Sequence, residues 1–376
     1  MAGKAWLAPK PASRWSRSRS RARVARIGKI HKAHAPLEAI VTPSPERVTP
    51  PCPVFARCGG CHYQHAPYEF QVAQKVEILR EQLQRVGKIA YEGEIQVLRG
   101  PELGYRNRVQ IHVEDGRLGF RAAGSHVLVP LEGDCPISSP RVNQALANLR
   151  SKLNDPQWPR FVQSVEVFTN EQDVQINVVE STRAVARRFY DWMESKVALD
   201  YETSFGMFRV SPKSFFQVNR FLIDGLVNAA IGEHSGETAI DLYAGAGLFA
   251  LPMAKRFKNV IAVEGGSAAA HDLRFNAERA GVAVQAEYGR VEDWLESYKE
   301  TPDFVLADPP RAGLGPNVVH DLNRLAPPKI TIVSCDPATL ARDLAAMPDY
   351  KIEALTMVDL FPQTYHLETV VELRRK

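Results

Sequence analysis

The stretch "TAIDLYAGAGLFA" (Thr238–Ala250) joins a short apolar run to a loop that contains two glycines. The apolar run, Gly245, Gly247 and the apolar residues that follow predict a strand, a tight loop and the start of a helix. Glycines let a backbone approach a ligand closely, and unpaired N–H groups at a helix start can bind one. Alone this pattern is weak, because glycine turns after strands also serve packing.

Three later runs in the chain have the same plan. "NVIAVEGG", "DFVLADPP" and "KITIVSC" are rich in β-branched residues, end in glycine, proline or polar residues, and are separated by helical patterns. Strands that alternate with helices predict a parallel sheet covered by helices on both faces. We therefore expect residues 206–376 to form an α/β domain.

Residues 51–205 show a different pattern. "RVQIHVEDGRLGF" (Arg108–Phe120) alternates apolar and polar residues around Asp-Gly and predicts a hairpin, as does the segment Ser164–Glu180. Before them, apolar residues spaced by three and four between Val72 and Val86 predict a helix that Gly87 ends. We expect a smaller, strand-rich domain here.

Composition excludes several classes of protein. Hydrophobic residues make up 45% of the 376 residues, enough for two or three folded domains. No run of eighteen apolar residues is present, so no transmembrane helix is predicted. Five cysteines are too few for a disulfide scaffold, and a reducing compartment, the cytoplasm, is expected.

The first fifty residues carry most of the positive charge. They hold eleven Lys or Arg against two acids, a net charge of +9, so the other 326 residues sum to −5. Six arginines lie between Arg14 and Arg26, and a proline-rich linker (Val41–Pro53) ends the segment. This run is typical of a disordered tail, of an arm that binds nucleic-acid phosphates, or of a transit peptide; only features later in the chain favour the arm.

Acidic residues at strand ends extend the glycine loop into a nucleotide-type site. Glu264 lies nineteen residues after Gly245, where a carboxylate can accept hydrogen bonds from a ribose. The spacing does not exclude NAD, but Asp241 and the later "ADPPRAG", which contains Asp308, favour S-adenosylmethionine. The alternatives are that Glu264 is a solvated strand end and that Asp308 only caps a turn.

Two residues are candidates for covalent chemistry. Cys335 follows an apolar strand and precedes a helix that opens at Asp336-Pro337, so a lowered pKa and a nucleophilic thiolate are expected. The alternative is a buried filler cysteine. Glu368 stands between apolar residues in "HLETVV"; if it is buried, its pKa rises and it can act as a general base.

Taken together, these motifs resemble one known family, the RNA uracil-5-methyltransferases. The resemblance covers nearly everything from Pro43 to Lys376. It rests on the order and spacing of these segments: "SFFQVN", "DLYAGAGLF", "VEG", "ADPPRAG", "SCDPATLARDL" and "HLETVV". "CPVFARCGGC" is similar to the branch that methylates bacterial 23S rRNA and carries an iron–sulfur cluster; the tRNA branch generally lacks these cysteines.

The resemblance implies a class I (Rossmann-like) S-adenosylmethionine-dependent fold and a role for each matching residue. It implies that Cys335 is the nucleophile and Glu368 the base. The residues implied to bind S-adenosylmethionine are Gln217, Tyr243, Glu264 and Asp308. At Ala244 and Leu248 the chain departs from relatives, which often carry a cysteine and a polar residue there.

A cluster of cysteines predicts a metal centre in the smaller domain. Cys52, Cys58 and Cys61 supply three thiolates, and Cys135 is left as the fourth because Cys335 has another role. Four thiolates suit a 4Fe-4S cluster or zinc, and spacing does not decide between them. The resemblance favours the 4Fe-4S cluster.

The N-terminal segment is shorter than the resemblance implies. The family places a TRAM domain, a small RNA-binding barrel, before the cysteines. Residues 1–50 can hold only the last part of one, and residues 23–48 resemble such an ending.

The predicted function is methyl transfer from S-adenosylmethionine to carbon 5 of a uridine in RNA, most simply 23S rRNA. The first alternative is the same reaction on tRNA. The second is a zinc-containing methyltransferase that acts on a protein or small molecule. The expected partner is RNA, and a monomer without membrane association is expected.

Overall fold

The computed structural model describes residues 24–27 and 37–376. Most of the arginine cluster lies outside the described residues. The predictions of an RNA-binding arm, of a transit peptide and of a TRAM remnant therefore concern residues that are for the most part not described. The part that is described forms a two-stranded antiparallel ribbon between Val24–Ile27 and Leu37–Thr42.

The chain folds into seventeen strands and nine helices within the described ranges. The strands are β1 Val24–Ile27, β2 Leu37–Thr42, β3 Ile95–Leu98, β4 Arg108–Glu114, β5 Arg117–Arg121, β6 Leu128–Pro130, β7 Val162–Thr169, β8 Val174–Ser181, β9 Leu199–Thr203, β10 Gly206–Val210, β11 Gly236–Leu242, β12 Phe257–Glu264, β13 Gln285–Tyr288, β14 Phe304–Ala307, β15 Lys329–Ser334, β16 Tyr350–Val358 and β17 Glu368–Arg375. The helices are α1 Tyr68–Arg85, α2 Pro140–Lys152, α3 Arg187–Trp192, α4 Ile223–Ile231, α5 Ala250–Met253, α6 Ser267–Ala280, α7 Val291–Ser297, α8 Gly315–Leu325 and α9 Pro337–Ala345.

The larger sheet has eight strands in the order β13-β12-β11-β14-β15-β17-β16-β3. The first five strands in this order, β13, β12, β11, β14 and β15, run parallel to one another. β17 is inserted antiparallel between β15 and β16. All four residues of β14 are buried, as expected for a central parallel strand covered on both faces. The predicted α/β arrangement is confirmed, and the reversed strand carries the segment that contains Glu368.

The smaller sheet has five antiparallel strands in the order β6-β5-β4-β7-β8. The first predicted hairpin turns at Asp115 and Gly116, both with positive φ, as a two-residue hairpin turn requires. The second is the β7–β8 pair. Helix α2 covers one face of this sheet and buries Val142, Leu146 and Leu149 against it. Both hairpin predictions are confirmed.

The predicted helix after the cysteines is α1, and it packs on the larger sheet. Its Val72, Leu79 and Leu83 belong to the core on that side of the sheet, and β3 pairs with β16 at the sheet's edge. The division of the chain at residue 205 stays a prediction, but α1 and β3 pack on the larger sheet. None of the helices described in residues 37–376 has the length and apolar character needed to cross a membrane.

Candidate active site

Strand register brings the predicted cofactor residues to one edge of the larger sheet. Leu242 pairs with Val263 on one side and with Ala307 on the other. The residues that follow these strand positions are Tyr243, Glu264 and Asp308, so they lie side by side where the parallel strands end. This is the edge at which open α/β sheets bind ligands.

The glycine loop wraps around Glu264. One carboxylate oxygen of Glu264 accepts a hydrogen bond from the Gly245 N–H at 2.8 Å, and the other accepts from the Gly266 N–H. Gly247 has φ +94°, and a Cβ there would lie 2.6 Å from a Leu251 methyl group, so only glycine fits. Glu264 thus fixes the loop while remaining partly exposed, where a ribose can reach it.

Asp241, the penultimate residue of β11, is a buried carboxylate that the prediction of binding residues omitted. It is completely buried, and neither of its oxygens has a hydrogen bond of ordinary geometry. Burial raises its pKa well above the usual value, the neighbouring Asp308 and Glu264 add to this, and the backbone N–H of Ala250 opposes it. An unpaired buried carboxylate fits a ligand that brings a positive charge or N–H groups, as S-adenosylmethionine does. The signal in the sequence was an acid inside an apolar strand.

Cys335 and Glu368 face each other across two antiparallel strands. Ser334, the last residue of β15, pairs with Thr369, so the next residue, Cys335, lies opposite Glu368. On its other side Glu368 pairs with Val358. The sequence places these two residues thirty-three positions apart, and only the antiparallel insertion of β17 brings them together.

The expectation that Cys335 has a lowered pKa is wrong. The pKa of the thiol is raised to about 11, first by burial and then by the charges of Glu368 and Asp308, while Arg311 opposes them. The helix that follows gives little help, because the Asp336 carboxylate already accepts hydrogen bonds from two N–H groups of its first turn. A negative charge thus occupies the helix start that was expected to stabilise the thiolate.

The two carboxyl groups beside the thiol also have raised pKa values. Burial raises the pKa of Asp308 to about 7. Glu368 is 6% exposed, and burial followed by the charge of Asp308 raises its pKa well above the usual value. The condition stated for a general base, a buried Glu368, is met. Perturbed acids grouped at a sheet edge are typical of a catalytic site.

Gln217 differs from the other predicted residues in that it does not lie at the end of a strand of the larger sheet. It is buried in the loop between β10 and α4, and its backbone carbonyl accepts a hydrogen bond from the Asn107 side chain at 3.3 Å. Among the described residues, no hydrogen bond joins its side chain to the sheet edge. The structure therefore brings together Tyr243, Glu264 and Asp308 with the Cys335–Glu368 pair, and leaves the role of Gln217 as a prediction.

The comparisons with known proteins agree with this arrangement. Residues 143–376 match the family model described as tRNA (Uracil-5-)-methyltransferase. The chain belongs to this family. The predicted enzyme class, an S-adenosylmethionine-dependent RNA (uracil-5-)-methyltransferase, is thereby confirmed.

Similar proteins align with nearly the whole of this chain. A 23S rRNA (uracil(1939)-C(5))-methyltransferase RlmD from Halomonas elongata is 32% identical, with 92% of this chain and 80% of that protein covered. An RlmD from Pseudomonas entomophila is also 32% identical, with 91% and 83% covered. The crystal structure of Pyrococcus abyssi tRNA (uracil-54, C5)-methyltransferase in complex with S-adenosyl-L-homocysteine is similar with a TM-score of 0.73 and 26% identity, covering 93% and 92%. The predicted class I fold is confirmed by this likeness.

The loop 308–314 of the methyltransferase is held by residues that the sequence reasoning missed. The Asp343 carboxylate accepts a hydrogen bond from the Leu314 N–H at 2.8 Å, and Arg342 donates to the Ala312 carbonyl at 2.8 Å. Arg311 of the same loop lies 3.8 Å from Asp336. The sequence feature that could have indicated Arg342 and Asp343 is "ARDL", in which an acid follows an arginine within the predicted helix.

The four cysteines of the predicted metal centre are free and close to one another. Burial raises the pKa of Cys52, of Cys58 to about 11 and of Cys61 to about 12, and in each case the neighbouring Cys135 adds to the increase. Four thiols that interact across more than seventy residues fit the donor chemistry of a metal centre. Within residues 40–376, however, no group of three or more His, Cys, Asp or Glu is arranged to hold a metal ion.

Proposed function

We propose that this methyltransferase acts on carbon 5 of a uridine in 23S rRNA, with Cys335 as nucleophile and Glu368 as base. The observation that carries the proposal is the strand register, which sets Cys335 opposite Glu368 beside the cofactor edge of the sheet. The choice of 23S rRNA over tRNA rests on the two RlmD relatives, which are 32% identical against 26% for the tRNA enzyme. A monomer in the cytoplasm is part of the same proposal.

The reaction needs covalent help because carbon 5 of uracil is a weak nucleophile. Addition of the Cys335 sulfur to carbon 6 turns carbon 5 into an enolate-like nucleophile. After methylation, Glu368 takes the proton from carbon 5, the bond between the sulfur and carbon 6 breaks, and the double bond of the ring returns. The raised pKa of Glu368 suits this step, since a more basic carboxylate removes a proton more readily.

S-adenosylmethionine supplies the electrophilic methyl group when it is bound. Tyr243, Glu264, Asp308 and Gln217 are the residues proposed to hold it, and we add Asp241 for its unpaired carboxylate. A positive charge beside Asp308 favours the thiolate form of Cys335, because it opposes the carboxylates that raise the pKa of the thiol. We therefore expect binding of the cofactor to favour the thiolate form of Cys335.

The target uridine has to leave its stack to reach this edge. Extruding a base costs a few kcal/mol and is easiest in loops, where pairing is weakest. We therefore expect the substrate uridine to lie in a loop of the RNA.

We propose that Cys52, Cys58, Cys61 and Cys135 hold a 4Fe-4S cluster, with zinc as the alternative. Bound to the thiolates, either centre would supply a structural cross-link between two distant parts of the chain. Nothing in the proposed reaction requires electrons from it.

Unmodified transcripts test the reaction and its substrate. With labelled S-adenosylmethionine, 23S rRNA should accept methyl groups, and mass spectrometry should find 5-methyluridine at one position. Cys335→Ala should lower the rate at least about a thousandfold. Glu368→Gln should leave a protein–RNA adduct that survives denaturing electrophoresis. Methylation of tRNA alone would overturn the choice of rRNA, and full turnover by Cys335→Ala would overturn the mechanism.

A further inference from the structure

A nine-residue loop, here named the base loop (residues 359–367), leads directly into Glu368. It starts after Val358, which is the cross-strand partner of Glu368, so both ends of the loop adjoin the proposed base. We therefore expect the conformation of the loop to affect the position of the Glu368 carboxylate.

Helix α1 holds the start of the base loop. The Lys75 Nζ lies 2.6 Å from the Asp359 carboxylate, and both side chains are completely buried. Lys75 also donates to the Phe361 carbonyl at 3.0 Å. A buried ion pair of this kind fixes geometry, since separating it leaves a charge without a partner.

Gln71, one turn earlier on α1, holds the middle of the base loop. It exchanges two hydrogen bonds with Gln363: its Nε2 donates to the Gln363 Oε1 at 3.0 Å, and its Oε1 accepts from the Gln363 N–H at 3.1 Å. The same Nε2 also donates to the Ala66 carbonyl at 2.8 Å, at the end of the cysteine segment (residues 52–66). Gln71 is itself completely buried.

Gln363 has a backbone conformation that needs such support. Its φ is +66°, a left-handed value that costs a non-glycine residue free energy. Its carbonyl accepts hydrogen bonds from the N–H groups of His62 and Tyr63 at 2.8 and 3.0 Å. The cysteine segment and α1 together therefore hold one strained residue, five positions before Glu368.

We propose that Gln71 is a positioning residue for Glu368, and that it links the cysteine segment to the step in which the base acts. The inference rests on the proposed function. When Gln71 no longer holds the base loop, the carbon 5 proton passes to Glu368 more slowly. The bond between the Cys335 sulfur and carbon 6 then persists, and methylated RNA remains attached to the protein.

Two RNA substrates separate the steps before and after methyl transfer. The 23S transcript reports the complete reaction. The same transcript made with 5-fluorouridine has no proton at carbon 5, so it reports adduct formation without any contribution from the base. Gln71→Met preserves side-chain size and removes the hydrogen bonds, and Gln82→Met is its matched control on the same helix, buried but without a described hydrogen bond to the base loop.

Gln71→Met should form the 5-fluorouridine adduct at a rate within about twofold of the wild type. On the natural transcript it should accumulate an adduct and turn over at least about tenfold more slowly. Gln82→Met should behave as the wild type on both. Calorimetric titration with S-adenosylmethionine should give the same affinity for the wild type and both variants. A general loss of structure would lower this affinity.

A second variant covers the case in which Gln71→Met does not fold. Gln363→Gly keeps the left-handed backbone at no steric cost and removes the side-chain hydrogen bonds of Gln363 to Gln71 and Glu102, so it should also accumulate the adduct. Wild-type turnover on natural RNA in both variants would overturn the proposal, and so would equal slowing on both substrates. If the wild type methylates no transcript and forms no adduct, the proposed function fails instead.

Discussion

Burial and the neighbouring carboxylates favour the protonated form of the Cys335 thiol in the free protein, because together they raise its pKa to about 11. Since a protonated thiol reacts slowly with electrophiles, we expect Cys335 to react faster when the neighbouring negative charges are offset.

Alkylation of Cys335 tests this state. In the free protein, modification by iodoacetamide should increase with pH up to about pH 11, as burial and the carboxylates dictate. In Glu368→Gln the profile should shift to lower pH, because one of the charges that raise the pKa of the thiol is gone. Peptide mass spectrometry separates Cys335 from the other four cysteines. If the profile does not shift, the charge of Glu368 does not raise the pKa of the Cys335 thiol.

Glu368 lowers the stability of the folded protein at neutral and alkaline pH. Its pKa is raised in the folded state, so above the ordinary value of 4.5 the unfolded chain loses this proton first, and stability falls as pH rises through that range. Glu368→Gln, which has no charge to bury, should therefore be more stable than the wild type by about 1 kcal/mol at pH 8. The difference should shrink below pH 5 in urea unfolding. A variant less stable at pH 8 would contradict this.

At the scale of elements, the loop 308–314, which begins with Asp308, is held against α9. Gly313 has φ +81°, and a Cβ there would lie 2.8 Å from the Arg342 guanidinium and would overlap the Asp343 carboxylate. Gly315 in the same turn has φ +76°, but a Cβ there meets nothing within 4 Å. The two glycines thus share a backbone conformation, but only Gly315 has free space for a side chain.

Alanine at each position separates these effects. Gly315→Ala should lower the free energy of unfolding by about 1 kcal/mol, from backbone strain alone. Gly313→Ala should cost about 2–3 kcal/mol, because the side chains of α9 must also move, and it should weaken binding of S-adenosylmethionine beside Asp308. Urea unfolding and calorimetry measure both quantities. Equal losses in the two variants would show that contact with α9 does not matter.

Strand patterns predicted most elements but not the order of the larger sheet. Both hairpins follow from alternation and turn residues that act locally. The antiparallel insertion of β17 and the pairing of β3 with β16 join residues far apart in the chain, and no local pattern encodes them.

At the scale of the whole molecule, the cysteines and the catalytic sheet form one connected structure. The cysteine segment contacts the base loop directly, through the N–H groups of His62 and Tyr63 on the Gln363 carbonyl. A cross-link from this segment to Cys135 would therefore also support the loop that leads to Glu368.

Loss of one cysteine tests the proposed cluster. Wild-type protein purified without oxygen should be brown, absorb near about 400 nm and contain about four iron atoms per chain. Cys58→Ser should lose the colour and unfold at a temperature lower by about 5 °C or more, because the cross-link is gone. Cys335→Ser should retain the colour and the iron. Stoichiometric zinc in place of iron would establish the alternative metal.

The sequence by itself determined the α/β class and the family, and it singled out Cys335 and Glu368 as candidate reactive residues. Motifs such as "DLYAGAG" and "SCDP" bring their own turns and side chains, which depend on neighbours along the chain. Only the tertiary structure decided that Cys335 faces Glu368, that Asp241 is buried without a partner and that the pKa of the thiol is raised. Register, burial and the proximity of charges depend on contacts between distant segments, and these reversed the local expectation of an activated thiolate.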